Sequence, residues 1–265
     1  MAGNPVVLGV LQTVVSELSG QTGRAALDVV DAGGGTGGFA VPLAALGHRV
    51  TVVDPSPDSL AAAQRRAAEQ NVPLRAVQGD AADLAALAGE QSADLVLCHS
   101  VLEYVDSPPA AMAAIAAVLR PGGAVSVLTA SAIAAVIHRA LAGRFDEARR
   151  LLSAIGAAPG DASGGAPGNG SGPAVKADGE AGGGHGLPGG GPRRFTLAGV
   201  TGLIEQTGLR PGPAQGVRVF ADLVPRVVAD ADPGAAQALQ GLELAVCAHP
   251  AFHDFAAQFH VLGYR

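Results

Sequence analysis

Between Ala26 and Ala130, short β-branched and apolar runs alternate with Ala-rich stretches of helical period. Such alternation predicts a sheet of parallel strands wrapped by helices. The expected strands are Leu27–Asp31, Arg49–Asp54, Leu74–Gln78, Asp94–His99 and Ala124–Thr129, apolar at nearly every position, as strands covered on both faces must be. Helices are expected at Phe39–Leu46, Ser59–Gln70, Pro109–Leu119 and Ala132–Ile155, and Arg120-Pro121-Gly122-Gly123 stops one of them and turns the chain into the next strand. After Arg193 the pattern predicts a helix from Thr196 or Leu197 to Thr207, a strand at Val217–Asp222, a helix at Ala235–Ala248 and a last strand at Phe259–Tyr264. That makes seven strands in an α/β fold.

The stretch from Gly156 to Pro192 breaks this pattern. Glycine and proline supply more than half of it and no apolar period runs through it, so it cannot bury enough surface to offset the entropy of ordering. It is read as a disordered insertion or a loop over the fold. Elsewhere, composition narrows the function classes. Aromatics are 3% of the 265 residues, so the core must be built from Ala, Val and Leu. Cys98 and Cys247 stand alone, without disulfide or zinc spacing, which together with an N-terminus lacking a cationic stretch points to the cytoplasm. The apolar run Pro121–Ile137 falls short of the ~20 residues that span a bilayer, which argues against a membrane protein. With a net charge of −6, one lysine (Lys176) and only isolated arginine pairs, the chain has no evident general nucleic-acid-binding surface. Seven histidines without H-x-x-H spacing give no metal site.

Candidate chemistry gathers at Asp31-Ala-Gly33-Gly34-Gly35-Thr36-Gly37-Gly38, between the first strand and its helix. Glycines let a backbone turn tightly and approach a ligand, and Asp54, at the end of the second strand, stands where a carboxylate can accept both hydroxyls of a ribose. Together they mark a nucleoside-containing cofactor. Gly33, Gly35 and Gly38 satisfy the dinucleotide pattern G-x-G-x-x-G, which leaves an NAD(P)-dependent oxidoreductase open. The competing D-x-G-x-G-x-G, at Asp31, Gly33, Gly35 and Gly37, resembles motif I of class I S-adenosylmethionine (SAM)-dependent methyltransferases. The difference is electrostatic: SAM brings an α-ammonium to the first strand, where Asp31 is useful, whereas the pyrophosphate of NAD would be repelled. Gln78-Gly79-Asp80-Ala81, Leu97–Val105 and Leu119–Gly123 resemble the later motifs in order. The candidate cofactor residues are therefore Asp31, Gly33, Gly34, Gly35, Gly37, Asp54, Pro55, Asp80, Ala81 and His99, with Asp80 placed to accept the adenine amino group.

The match extends to a family. Asp31–Gly35, His99-x-Val-Leu-Glu103, Leu141–Asp146, Gly216-Val-Arg-Val-Phe-x-Asp222, Leu242-Glu243-Leu244 and Phe259-His260-Val261 resemble the tRNA 5-carboxymethoxyuridine methyltransferases. The resemblance implies a Rossmann-like, seven-stranded class I fold. It also implies SAM as cofactor, S-adenosylhomocysteine (SAH) as product, and methyl transfer to a carboxylate on a wobble uridine. A carboxylate is already ionised and needs only positioning, for which Arg218 is the candidate clamp and His260 a neighbour. His99 and Glu103 are candidate bases should the acceptor be a hydroxyl or an amine. On this reading residues 1–155 form the SAM-binding core, 156–192 the insertion, and 193–265 complete the sheet and line the substrate pocket. The family's cofactor-contacting Arg before the first helix has no counterpart here, Asn4-Pro5 standing near its place. A small-molecule O- or N-methyltransferase and a non-catalytic SAM-binding protein remain alternatives.

Overall fold

The computed structural model describes residues 4–156, 192–225, 227 and 233–265. Residues 157–191, which hold the expected Gly/Pro-rich insertion, lie outside the described residues. Seven strands form one sheet in the order β3-β2-β1-β4-β5-β7-β6: β1 Asp28–Ala32, β2 Arg49–Asp54, β3 Arg75–Gln78, β4 Ala93–His99, β5 Leu119–Ala130, β6 Arg210–Val217 and β7 Gln258–Tyr264. The first five run parallel, and β7 is antiparallel to both β5 and β6. Every residue of β4 is buried, as expected for a central strand packed on both faces.

Helix α1 (Pro5–Thr22) opens on Asn4, whose side chain accepts from the Val6 N–H, and ends at Gly23 in the left-handed conformation. Its Val7, Leu11, Val14, Val15 and Leu18 fall on one face at helical spacing and pack with Leu43 of α2 (Ala40–Ala45) onto Val29, Leu97 and Leu262. The opposite face carries Val30, Val96, Val127 and Val261, covered by Leu84 of the helix Leu84–Ala88, by Met112 and Ile115 of the helix Pro108–Val118, and by Ile204 of the helix Leu197–Gln206. Two layers of helix thus hold the strand tips in fixed register. Among the described residues no helix is long and apolar enough to cross a membrane.

Two expectations are corrected. The long helix expected at Ala132–Ile155 is two helices, Ala132–Leu141 and Phe145–Gly156, parted at Gly143 with φ +72°. The sixth strand ends at Val217 instead of beginning there. Its Pro211 and Pro213 can be tolerated because β6 lies at the sheet edge, where missing N–H donors break no second ladder.

At the amino-terminal end of the sheet an ion cluster ties four elements together. Buried Asp94 pairs with Arg24 and with Arg120 at 3.1 Å and accepts the Asp28 N–H at 2.8 Å; Asp28 pairs with Arg49 at 2.7 Å and Arg120 at 2.9 Å. Removing the buried carboxylate strands these donors. Asp94→Ala is expected to cost about 3 kcal/mol in urea unfolding, whereas Arg149→Ala, an exposed pair at 3.7 Å with Asp146, should cost less than about 0.5 kcal/mol.

Candidate cofactor site

The parallel strands deliver Asp31, Asp54, Gln78 and His99 to one end of the sheet. There the glycine loop folds over β1 and β2. Gly33 and Gly34 donate to the Val53 carbonyl at 2.7 and 3.4 Å, and Gly37 donates to the Gly34 carbonyl at 2.9 Å. Gly33 and Gly37 have φ of +68° and +75°. A Cβ on Gly33 would also land inside Val101, and one on Gly34 would sit 2.6 Å from the Asp31 carboxylate. Gly33 is therefore required by contact as well as by conformation, and Gly34 by contact alone.

Asp54 is buried and held by two backbone donors, Gly35 N–H to Oδ2 and Ser56 N–H to Oδ1, each at 2.9 Å. A carboxylate offers about four lone-pair sites. Two remain for a ribose diol. Gln78 Nε2 donates to the Pro55 carbonyl at 3.2 Å and holds the turn after β2. Asp80 is exposed and caps the short 3-10 turn Ala81–Asp83, accepting the Ala82 N–H at 3.1 Å, so one of its oxygens is committed locally. Ala81 is buried beneath it.

Asp31 differs from all of these. Only 2% of it is exposed, and burial, with a smaller contribution from the Asp54 charge, pushes its carboxyl up to about 7. No hydrogen bond or cation offsets these two effects among the described residues. The site is built around a carboxylate that lacks a cation.

His99 is buried with its ring edge-on to Phe39 at a centroid distance of 4.6 Å, and its Nε2 lies 2.8 Å from Ser126 Oγ. His260 is fully buried with both nitrogens occupied, Nε2 by Ser126 at 2.7 Å and Nδ1 by Gln215 at 2.8 Å. It reaches the site through Ser126 and not by facing it. Glu103 accepts the Ala130 N–H at 2.7 Å, fastening the end of β5 to the loop after β4; burial pushes its carboxyl up and that N–H partly offsets the rise. Cys98 is wholly buried on the other face, and burial pushes its thiol well above the ordinary range, as befits an apolar strand residue.

Arg218 lies one residue beyond β6, in the left-handed region at φ +59°, so it is not within the strand expected there. Its half-exposed guanidinium pairs with Asp222. The turn it opens is organised by Glu243, a residue given no role from sequence: its buried carboxylate accepts the N–H groups of Val219, Phe220 and Ala221 at 2.9, 2.8 and 2.7 Å. The signal was a lone acid amid the apolar residues of the Pro233–Val246 helix. Asn4, Gln240, Glu243 and Arg218 share a cavity of about 190 Å³ between that helix and the start of α1.

The arrangement of strands and helices is the class I methyltransferase fold. It is shared, at TM-score 0.55 and 16% identity, with magnesium protoporphyrin IX methyltransferase from Synechocystis PCC 6803, over 97% of this chain and 84% of that one. Residues 30–127, the sheet's central part with the glycine loop, match the family described as "Methyltransferase domain". The chain is similar to tRNA 5-carboxymethoxyuridine methyltransferase of Escherichia coli (strain K12), 35% identical over 138 residues, 51% of each chain. It is also 36% identical over 125 residues to a ubiquinone biosynthesis O-methyltransferase of Methylobacterium nodulans, covering 45% of this chain and 49% of that one. The chain spans about half the length of these curated relatives. The class of protein expected from the motifs is thereby borne out.

Two outcomes follow from the site. Because the Asp31 carboxyl is raised in the folded chain, the stability present below about pH 4 is lost as pH rises through about 7, to the extent of about 4 kcal/mol. Asp31→Asn should remove that slope and melt several degrees higher than the parent at pH 8, read by calorimetry without added nucleoside. Gly33→Ala should instead destabilise by roughly 1–3 kcal/mol, from its φ alone, and more through Val101.

Proposed function

We propose that this protein is a SAM-dependent methyltransferase that delivers the methyl group to an oxygen acceptor. The observation that carries it is the buried, cation-free Asp31 carboxylate beneath the glycine loop of a methyltransferase domain. When bound, SAM supplies an electrophilic methyl carbon on a sulfonium leaving group. Asp31 would receive its α-ammonium, Asp54 its ribose diol, and the loop at Gly33–Gly37 its close approach, with Pro55, Asp80 and Ala81 bordering the adenine. A dinucleotide fits poorly. Its pyrophosphate would face the Asp31 and Asp54 carboxylates, and the helix after the loop has only six residues, with no side-chain cap.

Two acceptor classes are supported by different observations. A carboxylate, as on the modified uridine of the Escherichia coli relative's name, would be held by Arg218, at the same end of the sheet as the glycine loop, by exchange with Asp222. With a carboxylate no base is needed. A hydroxyl acceptor agrees with the name of the ubiquinone-pathway relative. Mass spectrometry of tRNA wobble nucleosides from a deletion strain separates them: loss of a methyl ester supports the first, unchanged nucleosides the second.

Titration calorimetry with SAM and SAH tests the core claim. Both should bind, and affinity should rise between pH 6 and 8 and level off once Asp31 has lost its proton near pH 7. Asp31→Asn should weaken binding ~10- to 100-fold and abolish the pH dependence. Absence of binding to either nucleoside by the folded protein contradicts the proposal.

A further inference from the structure

A chain of hydrogen bonds crosses four strands and ends in an unmet acceptor. Register places His99 beside Leu128, Leu128 beside His260, and His260 beside Gln215, while Asp31 pairs with Leu97. Paired residues, and residues two apart, share a face. Asp31, His99, Ser126, His260 and Gln215 therefore all stand on the side covered by α1.

The polarity of the chain follows from its ends. Gln215 Oε1 only accepts, so the His260 Nδ1 at 2.8 Å carries the proton. Burial holds His260 neutral, its pKa lowered to about 4, so its Nε2 is a lone pair and takes the Ser126 hydroxyl proton at 2.7 Å. That hydroxyl has one proton, so its oxygen accepts from His99 Nε2–H at 2.8 Å. His99, also kept neutral by burial, is left with a bare lone pair on Nδ1. This atom is buried and has no hydrogen-bond partner. One carbon separates the two ring nitrogens of an imidazole; with Nε2 engaged by Ser126 on β5, Nδ1 is the ring atom left open, on the sheet face that also carries Asp31 of the neighbouring strand.

We propose that Gln215, His260 and Ser126 are positioning residues that fix His99 Nδ1 as a second acceptor, beside Asp31, for the α-ammonium of the bound methyl donor. The inference rests on the SAM reading above and deepens it. One donor-poor recess, with an anionic and a neutral acceptor on adjacent strands, suits a group that brings three N–H donors and a positive charge. It explains why polar side chains on β5, β6 and β7, remote from the glycine loop, are buried in the sheet face at all. It also makes the recess hostile to phosphate oxygens, which bring only lone pairs.

The test compares two probes, SAH and 5′-methylthioadenosine, which keeps the adenosine and thioether but lacks the amino-acid tail. In full-length protein, Ser126→Ala and His99→Phe should each weaken SAH about tenfold while leaving 5′-methylthioadenosine within about twofold. Nitrogen-15 imidazole spectra of the parent should show His260 protonated on Nδ1 and His99 on Nε2. The His99 Nδ1 signal should shift on adding SAH and not on adding 5′-methylthioadenosine. Ser126→Ala, a change of one hydroxyl, covers the case in which His99→Phe does not fold. Equal losses for both probes, no loss for either, or His99 protonated on Nδ1 overturns the inference while leaving SAM binding intact. No SAH binding by the parent overturns the proposed function itself.

Discussion

The structure depends on one unfavourable arrangement, a carboxylate buried at the tip of β1 without a cation. Solvent is excluded from Asp31 by the glycine loop above it, and Asp54 nearby adds a second negative charge. A fold retains such a group only where something else compensates it, here the two helical layers and the ion cluster around Asp94 at the far end of the sheet. Stability and ligand recognition thus sit at opposite ends of the same strands. A single side chain sets both the cost of the empty site and the sign of the ligand it prefers.

Much of this was legible in the sequence because the parallel strands are buried on both faces. Arg49–Asp54 falls where its apolar run placed it, and the other parallel strands lie within a few residues of theirs, apart from β5, which begins earlier, at Leu119. The carboxylates at the ends of β1 and β2 and the glycines between them could be read directly, since their spacing is local. Long-range register was not legible. Pro211, Gly212 and Pro213 hid β6, because a sequence pattern cannot tell an edge strand, which tolerates prolines, from a turn. The Val217–Asp222 stretch looked like a strand and is instead a strand end followed by a turn, held by an acid more than twenty residues further on.

The same limit applies to the histidines. His99 and His260 were each visible as isolated polar residues in apolar runs, but 161 positions separate them in the chain. Only the pairing of β5 with both β4 and β7 brings each of them to Ser126. Ser126 itself gave no sequence signal, being one small residue within a buried strand. A polar chain across a sheet core is costly unless its buried atoms are satisfied, and in this one the buried His99 Nδ1 is left without a partner. That atom, together with Asp31, confers on the site its shortage of donors.

A crystal structure of the protein soaked with SAH tests the central claim most directly. The amino group of the ligand is expected within hydrogen-bonding distance of the Asp31 carboxylate, and the ribose hydroxyls on Asp54. A ligand whose tail turns away from β1, leaving Asp31 without a donor, would contradict it.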